Sequence, residues 1–214
     1  MDRNKLKLTL LLLAVALPIG LATLSFYVMQ NRPVIATTNN GVLIMPVMDI
    51  TEFAMVDEQG ALAFQSFEEL VAGVDADDYV PAPWRLFFLG SSSCDEPCGD
   101  RLFYLRQLHR LLGADEDRVA RYYVNVGSGS QVLDERTRRM FAEAFSSQQL
   151  VFSERETLLS RLTSILPEGV DPVAEHYIFL ADPLGNVMLY FTPDNTPEEI
   201  LQDIERLLDR SSLG

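Results

Sequence analysis

The sequence predicts an α/β fold in which one mixed β-sheet is flanked by helices and preceded by a single apolar helix. Short apolar runs typical of buried strands alternate with segments of helical periodicity, and turn residues separate them. At the N-terminus, residues 8–29 contain no charged side chain. An uncharged run of this length is sufficient to cross a bilayer.

Basic residues precede this run at Arg3, Lys5 and Lys7, and this charge distribution predicts a cytoplasmic N-terminus. A cleavable signal peptide is the alternative, but no small-x-small cleavage site follows and the apolar run continues past Pro18. We therefore expect an inner-membrane protein whose C-terminal domain lies in the periplasm. The predicted organisation is a cytoplasmic tail at 1–7, a transmembrane anchor at 8–30, a linker at 31–50 and the extracytoplasmic domain at 51–212.

The chain carries a net charge of −14. Such a balance argues against nucleic acid or anionic lipid as a partner and is compatible with docking on a basic protein surface. Solvated helix faces and loops that keep the domain soluble are the simpler account of most of these charges.

The elements of the domain follow from local patterns. Residues 53–56 and 61–64 flank a turn and predict an N-terminal hairpin extension, while 41–49 is either an early strand or a packed segment limited by Pro46. Thr196 as N-cap, Pro197 after it and two acidic residues open the last helix. Helices are predicted at 66–71, 101–112, 134–145, 154–166 and 197–209, and strands at 84–89, 121–126, 177–180 and 187–191.

Cys94 and Cys98 are the only two cysteines, and they follow the apolar run 84–89 directly. A strand, a loop and a helix in this order place both sulfurs near the helix start, where unpaired N–H groups and the helix dipole favour thiolates. Such thiols exchange disulfides or hold a soft metal ion. A structural staple is the alternative, although so small a loop removes little chain entropy.

A mixed sheet with CxxxC at the first helix of its core is the thioredoxin-like arrangement, and the chain resembles the Sco/SenC family of membrane-anchored copper proteins as a divergent member. Three segments carry the resemblance: the strand-loop-CxxxC unit, the unit 176–191 with its Asp-Pro-x-Gly turn, and Thr-Pro-Glu-Glu-Ile at 196–200. The resemblance implies that two CxxxC thiolates and one histidine bind copper. It also implies help in delivering copper to the dinuclear centre of cytochrome c oxidase, or in maintaining the cysteines of that centre.

The third ligand departs from the family pattern. Counting back from the Pro-x-Gly turn places the family's histidine at Ala174, whereas His176 lies two residues later. A shift of two keeps the same face of a strand, so His176 is the predicted third ligand. His109 lies eleven residues beyond Cys98, about 16 Å along a helix, and is predicted to be a packing histidine. The Asp-Pro-x-x-Asp motif that family members carry after the strand at 121–126 is replaced here by Gly-Ser-Gly-Ser at 127–130.

Two thiolates and an imidazole suit Cu(I), and the expected partners are the copper-centre subunit of cytochrome c oxidase or other assembly factors. The prediction is thus a copper chaperone or assembly factor rather than a turnover enzyme. A thiol-disulfide oxidoreductase with Cys94 as nucleophile is one alternative, weakened by the three-residue spacer and by the lack of proline at 176–178. A non-catalytic scaffold within an assembly complex is the other.

Overall fold

The computed structural model describes residues 3–30, 38–74, 80–127 and 132–211. The chain divides into two compact units, Met1–Thr38 and Asn39–Gly214. The first unit contains helix α1 (Arg3–Gln30), with Pro18 inside it. Over the described ranges, no helix combines the length and the apolarity needed to span a bilayer, and the predicted anchor at 8–30 is not confirmed. Residues 31–37 of the predicted linker lie outside the described residues.

The second unit is built on one six-stranded mixed sheet with the strand order β1-β6-β5-β2-β3-β4. β2 pairs in parallel with β3, which pairs in parallel with β4. The β1–β6, β6–β5 and β5–β2 pairs are antiparallel. The strands are β1 (Val42–Asp49), β2 (Trp84–Gly90), β3 (Val119–Gly127), β4 (Gln149–Glu154), β5 (Ile178–Ala181) and β6 (Asn186–Phe191).

Helices cover both faces of this sheet, so the predicted mixed α/β architecture is confirmed. Side chains of β2 alternate between two cores: Phe88 packs on the side of α3, α4 and α6, and Phe87 packs on the side of α5. All residues of β2 are buried, which explains why its sequence is apolar apart from Arg85. The helices are α2 (Phe67–Val74), α3 (Glu96–Leu111), α4 (Glu135–Ala144), α5 (Arg155–Leu162) and α6 (Pro197–Arg210).

Three features near the sheet edges refine the sequence-based expectation. Residues 42–49 fall within the predicted linker and form the edge strand β1, which agrees with the early-strand alternative. β4 was not predicted, and its six residues complete the opposite edge. The predicted hairpin at 53–64 is present in a short form: Val56 and Leu62 form an antiparallel bridge, and the N–H of Ala63 donates to the carbonyl of Met55 at 3.0 Å. Its first residue, Phe53, instead ends a 3₁₀ helix (Ile50–Phe53) and is buried in the core.

Two predicted local motifs are present as expected. In the turn between β5 and β6, the carboxylate of Asp182 accepts the N–H groups of Leu184 and Asn186. Gly185 adopts a positive φ of 84° there, a conformation that glycine reaches without strain. Thr196 forms a capping box with Glu199 at the start of α6.

A buried carboxylate joins α6 to the beginning of β1. Asp203 is 1% exposed, and one of its oxygens accepts the backbone N–H groups of Asn40 and Gly41, both at 2.8 Å. Its other oxygen accepts from Arg206 at 3.2 Å. Charged acceptors of backbone N–H groups make strong hydrogen bonds, so Asp203 ties the edge strand to the last helix.

The substitution Asp203→Ala is expected to lower the free energy of unfolding by about 2 to 4 kcal/mol, because it leaves buried N–H groups without an acceptor. Urea unfolding followed by circular dichroism measures this loss. Glu205→Ala, at an exposed position of the same helix, is the control and is expected to change the value by less than about 0.5 kcal/mol. Equal losses in both variants would contradict the role given to Asp203.

Candidate functional site

Cys94 and Cys98 lie where β2 leaves the sheet and α3 begins. Asp95 is the N-cap of α3, and its carboxylate accepts the N–H of Cys98 at 3.2 Å. The two cysteines form a disulfide with their Cα atoms 5.3 Å apart. Cys98 is fully buried and Cys94 is 5% exposed. The sequence therefore places both sulfurs at the helix start, as expected, and a reagent approaching from solvent meets Cys94 first.

Tyr123 of β3 lies beneath the disulfide. Its Oη is 4.0 Å from the Sγ of Cys98 and donates a hydrogen bond to the carbonyl of Ser91 at 2.7 Å. Burial, followed by the nearby charges of Asp134 and Asp95, raises the pKa of Tyr123 far above its ordinary value. The phenol therefore stays neutral and keeps its hydrogen bond to the carbonyl of Ser91.

Gly90, the last residue of β2, makes this close approach possible. A Cβ at position 90 would overlap the phenol ring of Tyr123. Gly90 is not among the glycines with a positive φ. Glycine is therefore required here for lack of space and not for its backbone conformation.

The start of α4 holds the other side of the cysteine loop. The N–H of Cys94 donates to Oγ1 of Thr137 at 2.9 Å, and the N–H of Thr137 donates to Asp134 at 2.7 Å. The N–H of Asp134 in turn donates to the carbonyl of Ser92 at 2.9 Å. Thr137 is completely buried. The sequence showed Asp134 as a helix start, but it carried no signal that Thr137 would face Cys94.

His176 does not occupy the strand position that was expected. It precedes β5 in a turn, with a left-handed φ of 55°, so the argument from the face of a strand does not apply to it. Its ring stacks on Phe88 with centroids 5.5 Å apart, and its Nε2 is 3.7 Å from the carboxylate of Asp95. Its Nδ1 is buried with no hydrogen-bond partner among the described residues. The fold thus brings His176 beside Asp95, which lies between Cys94 and helix α3.

Arg101, one turn after Cys98, fixes the backbone around His176. Its Nε donates to the carbonyl of His176 at 3.1 Å, and its Nη2 donates to the carbonyl of Thr192 at 2.6 Å. Burial lowers the pKa of the guanidinium, which still remains protonated at neutral pH. Arg101 was not predicted as a site residue, because its acceptors are backbone carbonyls distant in sequence.

His109 has the packing role that was predicted. Its Nδ1 is 3.1 Å from Glu116, and its Nε2 is 2.6 Å from the carbonyl of Val119. Within the ranges that the structure describes, no three histidine, cysteine, aspartate or glutamate side chains form a group that could hold a metal ion. The ligand set of Cys94, Cys98 and His176 therefore stays a prediction. Residues 128–130, part of the loop that departs from the Sco pattern, lie outside the described residues.

A mixed sheet with a disulfide at the start of the helix that follows its central strand defines a thioredoxin-like domain. The chain belongs to the family described as "Transmembrane-like, thioredoxin-like, C-terminal domain", whose model matches residues 84–211. No curated protein matches the chain in sequence.

Solved structures of Sco proteins are among those to which the chain is similar. Apo Sco1 from Thermus thermophilus has a TM-score of 0.51 and 14% identity, covering 82% of this chain and 99% of that chain. Copper-bound ScoI from Bradyrhizobium japonicum has a TM-score of 0.43 and 17% identity, covering 78% and 98%. Copper-bound yeast Sco1 has a TM-score of 0.47 and 10% identity, covering 82% and 96%. The predicted resemblance to Sco proteins is confirmed for the fold, and identities this low do not extend it to activity.

The raised pKa of Tyr123 makes a contribution to stability that depends on pH. Below the unfolded-state pKa of about 10 both states are protonated, and above it only the folded state keeps the proton, so stability falls as pH rises. Between about pH 10 and 11, we expect the wild type to lose about 1 kcal/mol per pH unit relative to Tyr123→Phe. Denaturant unfolding at several pH values measures the difference.

Tyr104→Phe, at an exposed position of α3, is the matched control and is expected to follow the wild type over the same pH range. Parallel curves for the wild type and Tyr123→Phe would show that the phenol of Tyr123 ionises as readily in the folded state as in the unfolded chain.

Proposed function

We propose that the chain is a Sco-like assembly factor for respiratory cytochrome c oxidase, and that it maintains the cysteines of the copper-centre subunit by disulfide exchange. The observation that carries the proposal is the Cys94–Cys98 disulfide at the start of α3. The CxxxC spacing, the Asp-Pro-x-Gly unit and the Thr-Pro-Glu-Glu-Ile helix support the choice of the Sco class over other thioredoxin-like proteins. The fold shared with Thermus thermophilus Sco1 is consistent with it.

The proposed exchange begins from the dithiol form. The thiolate of Cys94 attacks a client disulfide and forms a mixed disulfide, releasing one client thiolate. The thiolate of Cys98 then attacks the sulfur of Cys94, which releases the second client thiolate and closes the Cys94–Cys98 disulfide. The client gains two electrons and the CxxxC pair loses two, and a dithiol reductant must restore the starting form.

The surroundings suit this division of roles. Cys94 is the more exposed sulfur, whereas Cys98 is covered and accessible mainly to its neighbour. The start of α3 favours thiolates through the helix dipole. The carboxylate of Asp95 is a negative charge close to the cysteines and disfavours thiolates. The thiols of Cys94 and Cys98 are therefore expected to be less acidic than the helix position alone would make them.

The proposed location is the periplasmic side of the cytoplasmic membrane, with residues 8–30 as the anchor. The uncharged run at 8–29 and the basic residues before it support this location. A disulfide is also more persistent in an oxidising compartment than in the cytosol.

Copper binding is the second candidate, with Cu(I) as cargo. The observation that favours it is His176, which lies 3.7 Å from Asp95 and has a buried Nδ1 without a partner in the described residues. Reduction of the disulfide would free two thiolates, and two thiolates with the imidazole of His176 would form a soft donor set suited to Cu(I). The pair must therefore be reduced before it accepts the ion.

The exchange proposal predicts different fates for the two cysteine variants. The reduced full chain is mixed with a synthetic CxxxC peptide in its disulfide form, and the products are separated by mass after alkylation. Wild type is expected to reduce the peptide, Cys98→Ser to accumulate the mixed disulfide through Cys94, and Cys94→Ser to do neither. His109→Ala is the control and is expected to behave as wild type.

Equilibration with glutathione buffers separates exchange from a structural staple. A reversible couple well above about −300 mV supports exchange, whereas a pair that stays oxidised below that potential is a staple. Absence of a mixed disulfide in Cys98→Ser would also contradict the proposed exchange.

The copper candidate predicts one tight equivalent of Cu(I) in the reduced full chain after anaerobic loading and removal of excess ion. Cys98→Ser and His176→Ala are expected to lose it, because each leaves an incomplete donor set. His109→Ala is again the control. A wild type that retains no copper would reject this candidate and leave the exchange proposal standing.

A further inference from the structure

Two adjoining hollows form one groove between α3 and the start of α6. The first, of about 230 Å³, begins at Arg101. The second, of about 440 Å³, continues to Leu111. Both are lined by Tyr104, Thr196 and Pro197, so they are continuous, and we call them together the α3–α6 groove.

The floor and one wall of the α3–α6 groove are apolar. Leu105, Leu108 and Ile200 are buried beneath it, and they belong to the core. Tyr104 and Leu111, in contrast, are 54% and 69% exposed along its length. Leu108, buried between them, completes a helical spacing along α3, so the exposed apolar stripe of the groove consists of Tyr104 and Leu111.

The rim of the groove is acidic. The exposed carboxylates of Asp194 and Glu198 line the two hollows, and Asp100 lies one helical turn before Tyr104. Arg101 is the cation among the described residues that line the groove. Its guanidinium donates to three backbone carbonyls, those of His176, Thr192 and Pro193, so the two hollows carry two carboxylates against this one cation.

We propose that the α3–α6 groove binds a basic amphipathic segment of the client protein, with apolar side chains facing the stripe and lysine or arginine facing the rim. The inference rests on the proposed function for the identity of the partner, since the groove begins one turn after Cys98 on the same helix. Charge complementarity selects a cationic partner for a chain of net charge −14. The eleven residues from Arg101 to Leu111 extend about 15 Å, close to three helical turns.

The binding mode has a consequence for the chemistry. Arg101 joins the groove to the loop that carries His176, and Cys94 lies seven residues before Arg101, just ahead of the start of α3. A client segment seated there holds the adjoining part of the client near Cys94, which raises its effective concentration at the sulfur.

The probe for this site is a synthetic peptide of about four helical turns, with leucines on one face and lysines elsewhere. Its counterpart carries glutamate at each lysine position. Binding to the full chain is measured by fluorescence anisotropy at about 0.15 M salt, where long-range attraction is screened. The leucine–lysine peptide is expected to bind and the leucine–glutamate peptide is not.

Two groove variants test the contacts. Asp194→Lys with Glu198→Lys is expected to weaken binding by at least about tenfold, and Tyr104→Ser with Leu111→Ser by a similar factor. The matched control is Glu143→Lys with Glu156→Lys, at exposed positions of α4 and α5, which changes the net charge equally. It is expected to weaken binding by less than about twofold.

Equal weakening by the control pair would overturn the proposal, because binding would then follow net charge rather than the groove. Self-association of the chain that disappears in Tyr104→Ser with Leu111→Ser would overturn it in favour of a second copy as occupant. The readout involves no thiol chemistry. Peptide binding that persists when disulfide exchange fails would remove the proposed function and leave the groove as a site for basic segments.

Discussion

The burial of β2 on both of its faces is the constraint on which the candidate site depends. Every residue from Trp84 to Gly90 is buried, and the strand is hydrogen-bonded to β3 on one side and to β5 on the other. A strand held in this way cannot shift its register without moving both cores. The loop that carries Cys94 leaves from its end, and Cys98 follows in the first turn of α3, so the position of both sulfurs is set by the sheet.

One residue of that strand connects the groups around the disulfide. Phe88 stacks on Tyr123 with centroids 5.6 Å apart and on His176 with centroids 5.5 Å apart. Tyr123 approaches Cys98, and His176 approaches Asp95. Because a buried aromatic stack tolerates little displacement, Phe88 orients the phenol and the imidazole even though it takes no part in the chemistry.

The sequence allowed prediction of those parts of the fold that depend on local pattern. The strand at 84–89 is recognisable because burial on both faces requires an apolar run, and the last helix because Thr196 and Pro197 mark its start. β4 and the segment after β1 were not predictable in this way. β4 is a six-residue edge strand defined by its pairing with β3, and Phe53 lies in a 3₁₀ turn because the core accepts its ring.

The candidate site likewise has a part that local sequence predicts and a part that it does not. CxxxC is a short local motif, and its position at the helix start follows from the pattern around it. The partners of the cysteines come from elsewhere in the chain: Thr137 from the start of α4 and Tyr123 from β3. His176 was identified as a residue type in the right part of the chain, but its left-handed backbone depends on hydrogen bonds from distant residues such as Arg101.

Helix α3 is fixed by contacts at its start, in its second turn and near its end. These contacts bear on how a client would approach in the proposed exchange. Asp95 caps its start, Arg101 ties its second turn to two loops, and His109 bonds the carbonyl of Val119 near its end. Opening the disulfide changes one bond in the first turn and removes none of these contacts. The helix and the α3–α6 groove are therefore expected to keep their shape in both redox states, with local adjustment confined to the loop around Cys94. In the proposed exchange a client would meet the same surface before and after the reaction, so its release would come from the change in its own thiols rather than from movement of the groove.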